Sequence, residues 1–397
     1  MSKLAKLVTN KPLVLTLYFG LSLFAVVKSV IVQHIHNNYF VYKWGFLNTI
    51  HQQTVFGPQL QHYGDLYHYG PVFALVMAPF GLLPDGLSVI LWVMFNAWVL
   101  YVAIKLLPLK ENQHLIVLLI CAHELMTSSS NVEINPLIGA LIILSFVFIK
   151  DKKDFWAALF IIIGTFIKLY GIVGLAFFFI SQDKLKFILS LAFWSVVLFL
   201  APMLISSPAY ILQTYHDWYG DLLAKNNSNI GYSLQDISAM GLIRNIFNYR
   251  QLSNIAVIVP GIVIFGTWYL RPNLFANFKY QLLLLASTLI FVIIFSSSSE
   301  SPTYIIAIAG VGLWFINLDR PVTPLESALL IFAVVITEFS PSDLFPRYIN
   351  VHYVIPYKLK ALPCVLIWLK IIYETVFFNA KAASTASEVL NKTQATT

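Results

Sequence analysis

The sequence predicts an all-α polytopic membrane protein, and three observations carry that prediction. Of 397 residues, 58% are hydrophobic and only 11% are charged, against about 25% charged in a soluble domain. The apolar residues gather in runs close to the roughly 20 residues that a bilayer-crossing helix needs. The Lys and Arg residues collect in the short connections between alternate runs, which is how cytoplasmic loops are marked. The net charge of +7 therefore reports topology, and no nucleic-acid partner is expected.

Taken in order, the first run follows a basic start at Lys3, Lys6 and Lys11 and extends over about 12–32. It is too long for a signal-peptide core and reads as an uncleaved signal anchor. Further spans are predicted near 86–107, 113–129, 135–150, 155–167, 168–180, 185–205, 253–270, 280–296, 303–317, 324–338 and 360–378, about twelve in all. The pair 155–180 reads as a tight hairpin interrupted by Lys168. Segment 71–83 is too short to span. It begins at Pro71, a favoured first helical position, and ends at Pro84-Asp85-Gly86, so it is predicted as an interfacial helix in the first outer loop.

The connections at Lys105–Glu111, Lys150–Asp154, Gln182–Lys186 and Arg271–Lys279 share the side of the N-terminus. Both termini are accordingly expected in the cytoplasm of a multi-pass inner (plasma) membrane protein. Residues 1–380 form one membrane domain, with 34–84 as the first outer loop plus its helix and 206–252 as the second large outer loop. Residues 381–397, small and polar, are expected to be a disordered cytoplasmic tail. Cys121 and Cys364 both lie in apolar runs without ligand spacing, so neither a disulfide framework nor a metal site is expected.

The outer loops are longer and chemically richer. Asp65, Glu133, His216, Asp217, Asp221, Asp236, Arg244, Glu300, Asp343 and Arg347 lie in them or at the adjoining span ends. Polar groups gathered at one face of a membrane protein point to a site there, since each is costly near lipid. Solvated loops would produce the same charge distribution.

Several stretches, in this order, resemble the GT-C class of membrane glycosyltransferases and, within it, the polyprenyl-phosphate-mannose-dependent mannosyltransferases of glycosyltransferase family 87. They are "NYFVY" (Asn38 to Tyr42), "DLYHYGPVFALVMAPFGLLP" (Asp65 to Pro84) and "LWVMFN" (Leu91 to Asn96). "VEINPLIGALIIL" (Val132 to Leu144), "GTFIKLYGIVGL" (Gly164 to Leu175), "GYSLQDISAMGLIRNIF" (Gly231 to Phe247) and "ESPTYIIAIAGVGLW" (Glu300 to Trp314) follow. The resemblance implies a GT-C-like fold. It also implies inverting transfer of a sugar, mannose in that family, from a polyprenyl-phosphate donor to a lipid or glycan acceptor on the extracytoplasmic face. No cofactor is implied beyond the lipid-linked donor, and the expected partners are membrane lipids, that donor, and a glycan or glycolipid acceptor. The family's acid in its D-F-x-x-Y stretch aligns with Asn38, a neutral amide that cannot serve as a base.

Such a reaction needs a carboxylate to take the acceptor proton and cations to receive the leaving phosphate. Asp65 is the first candidate base, flanked by Tyr67 and Tyr69, which suit a sugar. Glu133, between Asn131 and Asn135, is a hydroxyl ligand or a helix-end acid. Lys168, interrupting an apolar hairpin, is a phosphate candidate, with snorkelling as its alternative. Arg244 and Arg347 are further cations, and either equally suits a loop ion pair. Asn38, Tyr42, His216, Asp217 and Glu300 complete the substrate-binding set. Two readings from other classes stay open: a flippase or transporter of lipid-linked sugars, and a non-catalytic relative that binds them. A transporter should show an inverted repeat, and none is evident.

Overall fold

The computed structural model describes residues 8–33, 37–229, 235–318 and 320–377. Among these, helices are the only regular elements. In chain order the main ones are α1 (Lys11–Lys28), α2 (Asn37–Ile50), α3 (Val72–Gly81), α4 (Asp85–Lys105) and α5 (Glu111–Ser130). Then come α6 (Asn135–Lys150), α7 (Asp154–Ile167), a 3-10 helix (Leu169–Ile180), α8 (Lys184–Leu200) and α9 (Pro208–Ser228). The last are α10 (Ala239–Ile246), α11 (Asn254–Gly266), α12 (Phe278–Ile294), α13 (Ile305–Ile316), α14 (Pro324–Phe332) and α15 (Leu362–Val376).

Every apolar run singled out in the sequence falls on a helix. Lys11–Ile31, Asp85–Lys105 and Lys184–Leu204 are long and apolar enough to cross a membrane by length and composition, and seven shorter apolar helices accompany them. Helix α6 sits at the centre, buried continuously from Asn135 to Val147, with α4, α7 and α13 packed on it. Helices α12 and α13 pack on each other and are almost wholly buried. Helix α8, with two buried residues, and α1, a third buried over its span window, keep broad apolar faces outward. That is the arrangement expected of lipid-facing helices.

Two segments read from sequence as loops contain helices. The first outer loop holds α2, and the second holds α9, which starts at Pro208 behind the Ser207 cap. Neither has a long apolar run, so hydropathy alone passes over them. Segment 71–83 forms helix α3, of which Val72, Phe73, Ala74, Met77 and Gly81 are buried against α2 and α4. The 381–397 tail and Gly231–Leu234 lie outside the described residues.

The loop between α2 and α3 is fixed by close packing. Tyr67 stacks its ring edge against Gly45, where a Cβ would come within 2.2 Å of the ring. Gly70 lies so near α7 that a Cβ would stand 2.0 Å from the Phe166 carbonyl, and its N–H donates to the Ile167 carbonyl at 3.1 Å. Side chains larger than hydrogen at these two positions would push Asp65–Tyr69 away from the bundle. Tyr42, Tyr69, Phe73 and Trp92 form an aromatic cluster, Tyr42 edge-to-face with the other three, with centroids 4.7–6.0 Å apart.

Candidate active site

One end of the bundle opens into a cavity of about 890 Å³. Its walls come from the far end of α1, from α2, the 65–69 loop, α5 and its following turn, the α7 junction, α9, the 298–303 segment and the 340–360 segment. A volume of this size suits a ligand larger than a monosaccharide.

The turn after α5 places Glu133. Val132 sits in the left-handed region with φ +56°, costly for a β-branched residue by about 1–3 kcal/mol. The conformation is held by Val132 N–H to Ser129 O (3.1 Å) and Glu133 N–H to Ser128 O (3.0 Å). Asn96, the last residue of "LWVMFN", accepts from the Leu137 N–H at 3.3 Å and so ties α4 to the start of α6. Asn135 is thereby fixed beside Glu133.

Glu133 is buried among neutral donors. Asn38 Nδ2 donates to Oε1 at 3.0 Å, Asn135 Nδ2 to Oε2 at 3.2 Å and the Tyr42 hydroxyl to Oε2 at 3.5 Å. Burial pushes its carboxyl up to about 7, with the charge of Glu300 adding to the rise and Lys168 and Lys225 opposing it. Tyr69, buried and near the same carboxylate, is held well above the usual tyrosine value. Lys168 ends α7 in an extended conformation. Its ammonium donates to Asn135 Oδ1 at 3.1 Å and lies 4.9 Å from the Tyr170 ring centroid, so it reaches Glu133 through Asn135 rather than by an ion pair. Glu300 caps the 301–304 turn and accepts from Gln235 at 3.1 Å. Lys225 on α9 is held below its ordinary value by burial, against the opposing pull of Glu300.

Asn38, Tyr42, Asp65, Tyr69, Glu133, Lys168 and Glu300 all line the cavity, although they come from five separate parts of the sequence. Asp65 is exposed at its rim, where Oδ1 accepts its neighbour's Leu66 N–H at 2.8 Å. Tyr67 lies beneath the rim as a packing residue, and Asn135 is buried behind Glu133. The other candidates stand apart from the cavity walls. His216 is exposed and 3.5 Å from Asp217, while Arg347 is exposed in the 341–349 segment. Arg244 is buried in an ion pair with Asp236, also bonded to Asn254 and the Leu252 carbonyl; of the two roles open to it, the geometry is that of a loop ion pair.

Several contacts in and around the cavity are not announced by sequence. His68 pairs with Asp221 of α9 at 2.7 Å, and Trp218 donates to the His68 carbonyl at 3.2 Å, binding the second outer helix to the first loop. Deeper, Lys360 donates to Glu124 at 2.8 Å and to Ser301 at 2.9 Å, with His123 beside them on the cavity wall. Glu124 and Lys360 carry the signal that marks Lys168, an ionisable group in or beside an apolar run. Lys225 carries none. Among the described residues, no group of three or more His, Cys, Asp or Glu is placed to hold a metal ion.

The arrangement therefore offers a buried carboxyl near neutrality, hydroxyl and amide donors around it, and lysines close by. It can take a proton from a bound hydroxyl. The family model for glycosyltransferase family 87 matches residues 67–298, more than half of the chain. No curated protein matches it significantly. The matched stretch includes Glu133, Asn135 and Lys168, whereas Asn38, Asp65 and Glu300 fall outside it.

Proposed function

The chain belongs to glycosyltransferase family 87, and from that premise we propose that it moves a sugar from a polyprenyl-phosphate donor to a hydroxyl of a lipid or glycan acceptor, with Glu133 as the base. The observation that carries this reading is Glu133 itself, a buried carboxyl raised to about 7, bonded to neutral donors and facing the 890 Å³ cavity. A general base works best with its pKa near the operating pH. The acceptor oxygen attacks the anomeric carbon while Glu133 takes its proton. The carbon–oxygen bond to phosphate breaks with its electron pair leaving on the phosphate, and the centre inverts.

Asn38 then has a role that replaces the acid of the family pattern. It donates to Glu133 and to the Asn131 carbonyl at 2.8 Å, fixing the carboxylate that its own amide cannot imitate. Lys168 and Lys225 offset the negative charge that Glu300 brings near Glu133. Tyr42 and Tyr69 present hydroxyls and ring edges to a sugar. Mannose is the donor sugar that the resemblance favours. The basic connections at the other end of the bundle support cytoplasmic termini and an extracytoplasmic site in the inner membrane. A twelve-span architecture is part of the same reading.

Asp65 as the base is a second reading, favoured by its open position on the cavity rim. One experiment separates the two. Proteoliposomes with wild type, Glu133→Gln or Asp65→Ala are given radiolabelled polyprenyl-phosphate mannose and a membrane lipid extract. Transfer by wild type, lost in Glu133→Gln by about 100-fold or more and kept in Asp65→Ala, is the expected result. The reverse pattern assigns the base to Asp65. No labelled product from any polyprenyl-phosphate sugar sinks the transferase reading.

A further inference from the structure

Five lysines line the cavity: Lys28, Lys168, Lys225, Lys358 and Lys360. Four of them are engaged by acids or by the buried site network. Lys360 is bonded to Glu124, Lys358 faces Asp236, Lys225 faces Glu300, Asp65 and Asp221, and Lys168 serves Asn135 and Glu133. Lys28 differs. Of the five it alone is exposed, in the last turn of α1, and it stands outside the network of acids and amides that surrounds Lys168 and Lys225.

Its neighbours differ in kind as well. Phe24 lies one turn earlier on the same face of α1, lines the same cavity, and is 64% exposed. Pro341, Leu344 (71% exposed), Ile355 and Asp343 line the same cavity. The mouth therefore joins an apolar, outward-facing surface to one lysine available for an anion. Elsewhere the cavity's lysines lie among acids and amides.

We propose that this mouth, between the end of α1 and the 341–355 segment, is where an isoprenoid phosphate docks, with its chain against Phe24 and Leu344 and its phosphate on Lys28. The identity of the ligand rests on the transferase reading; the place does not. A phosphate carrying up to two negative charges is poorly served beside Glu133, Glu300 and Asp65, because like charges a few ångströms apart repel strongly where water is sparse. Lys28 can give it a charge-assisted hydrogen bond without first breaking an ion pair. An isoprenoid chain leaving by this opening passes directly onto the outward-facing side of α1. The sugar is then carried inward, towards Glu133.

The test is binding of polyprenyl phosphate without sugar to the purified full-length protein in nanodiscs, followed by tryptophan fluorescence. Wild type, Lys28→Glu, Lys28→Arg and Phe24→Ser are compared. Inorganic phosphate and dioleoyl phosphatidic acid serve as competing ligands. Lys28→Glu is expected to weaken binding about tenfold or more, Lys28→Arg to retain it, and Phe24→Ser to weaken it without altering the response to inorganic phosphate. Inorganic phosphate should not compete at concentrations where polyprenyl phosphate saturates, and phosphatidic acid should bind more weakly. Equal affinity of Lys28→Glu and wild type overturns the docking site, as does equal competition by free phosphate. Equal affinity for phosphatidic acid overturns the isoprenoid assignment. Because binding is read without turnover, Lys28-dependent binding in a protein that transfers no sugar sinks only the transferase reading. Sugar transfer with Lys28-independent binding sinks only the dock.

Discussion

The cavity contains two Glu–Lys groups that differ in how they are closed. In the deeper one, Glu124 is fully buried and its Oε1 meets the ammonium of Lys360 at 2.8 Å, with Ser301 taking a second N–H of that lysine. In the shallower one, Glu133 is bonded by two amides and a tyrosine hydroxyl, and its nearest lysine, Lys168, is bonded to Asn135 instead. A carboxylate bonded directly to a buried ammonium is held in place by it, which suits joining α5 to the start of α15. A carboxyl surrounded by neutral donors, with cations at one remove, can exchange a proton at neutral pH. The contrast separates a structural pair from a chemical group that looks the same in composition.

The comparison can be broken most directly by removing each carboxylate's partner or charge. Glu133→Gln keeps the side chain's size while turning one of its two acceptor oxygens into a donor facing donors, and is expected to cost transfer about 100- to 10,000-fold with a smaller loss in thermal unfolding in detergent than Lys360→Met. A large loss of stability with intact turnover would invert the two roles. Lys360→Met leaves Glu124 buried without its cation and is expected to cost about 3–5 kcal/mol. The double variant Lys360→Met/Glu124→Met should recover most of that, measured as the unfolding midpoint. If Lys360→Met is as stable as wild type, the deep pair is not structural.

The pH dependence sharpens the contrast. Because burial raises the Glu133 carboxyl to about 7, the folded protein holds a proton there that the unfolded chain has released above roughly pH 4.5. Ionising Glu133 therefore costs stability as pH rises through about 7, while the fraction of active base grows over the same window. Transfer should fall about tenfold per pH unit below that value, and a flat profile between pH 5.5 and 8 would remove Glu133 as base. The smallest expected effect is that of Asn38→Asp. It places a second carboxyl at the position of a donor 3.0 Å from Glu133, so the two share a proton and the profile moves to higher pH by about one unit or more. A gain in rate at unchanged profile would instead assign the base to position 38.

Much of the site was legible as a location. Asp65, Tyr69, Glu133, Lys168 and Glu300 are visible as polar residues at the ends of apolar runs on one predicted face, and the structure gathers them around one cavity. Their roles were less legible. Arg244 looks like a phosphate ligand in sequence, but its pairing with Asp236 needs the turn that brings a residue eight positions away into contact. Glu124 and Lys360 are 236 residues apart, and no local pattern announces that each neutralises the other. Helices α2 and α9 escaped hydropathy because they are held by packing and capping rather than by a long apolar face.

The sequence by itself determined that this chain is helical and where its apolar helices run. A long apolar segment in lipid must satisfy its own backbone hydrogen bonds, and the helix does so within the segment. It also determined, through the placement of Lys and Arg, which end gathers the varied polar groups. Only the tertiary structure decided which carboxylate is paired and which is left among neutral donors. That depends on the rotation and depth at which distant helices meet: Asn38 reaches Glu133 across 95 residues, and a turn of either helix would carry the amide away from the carboxylate.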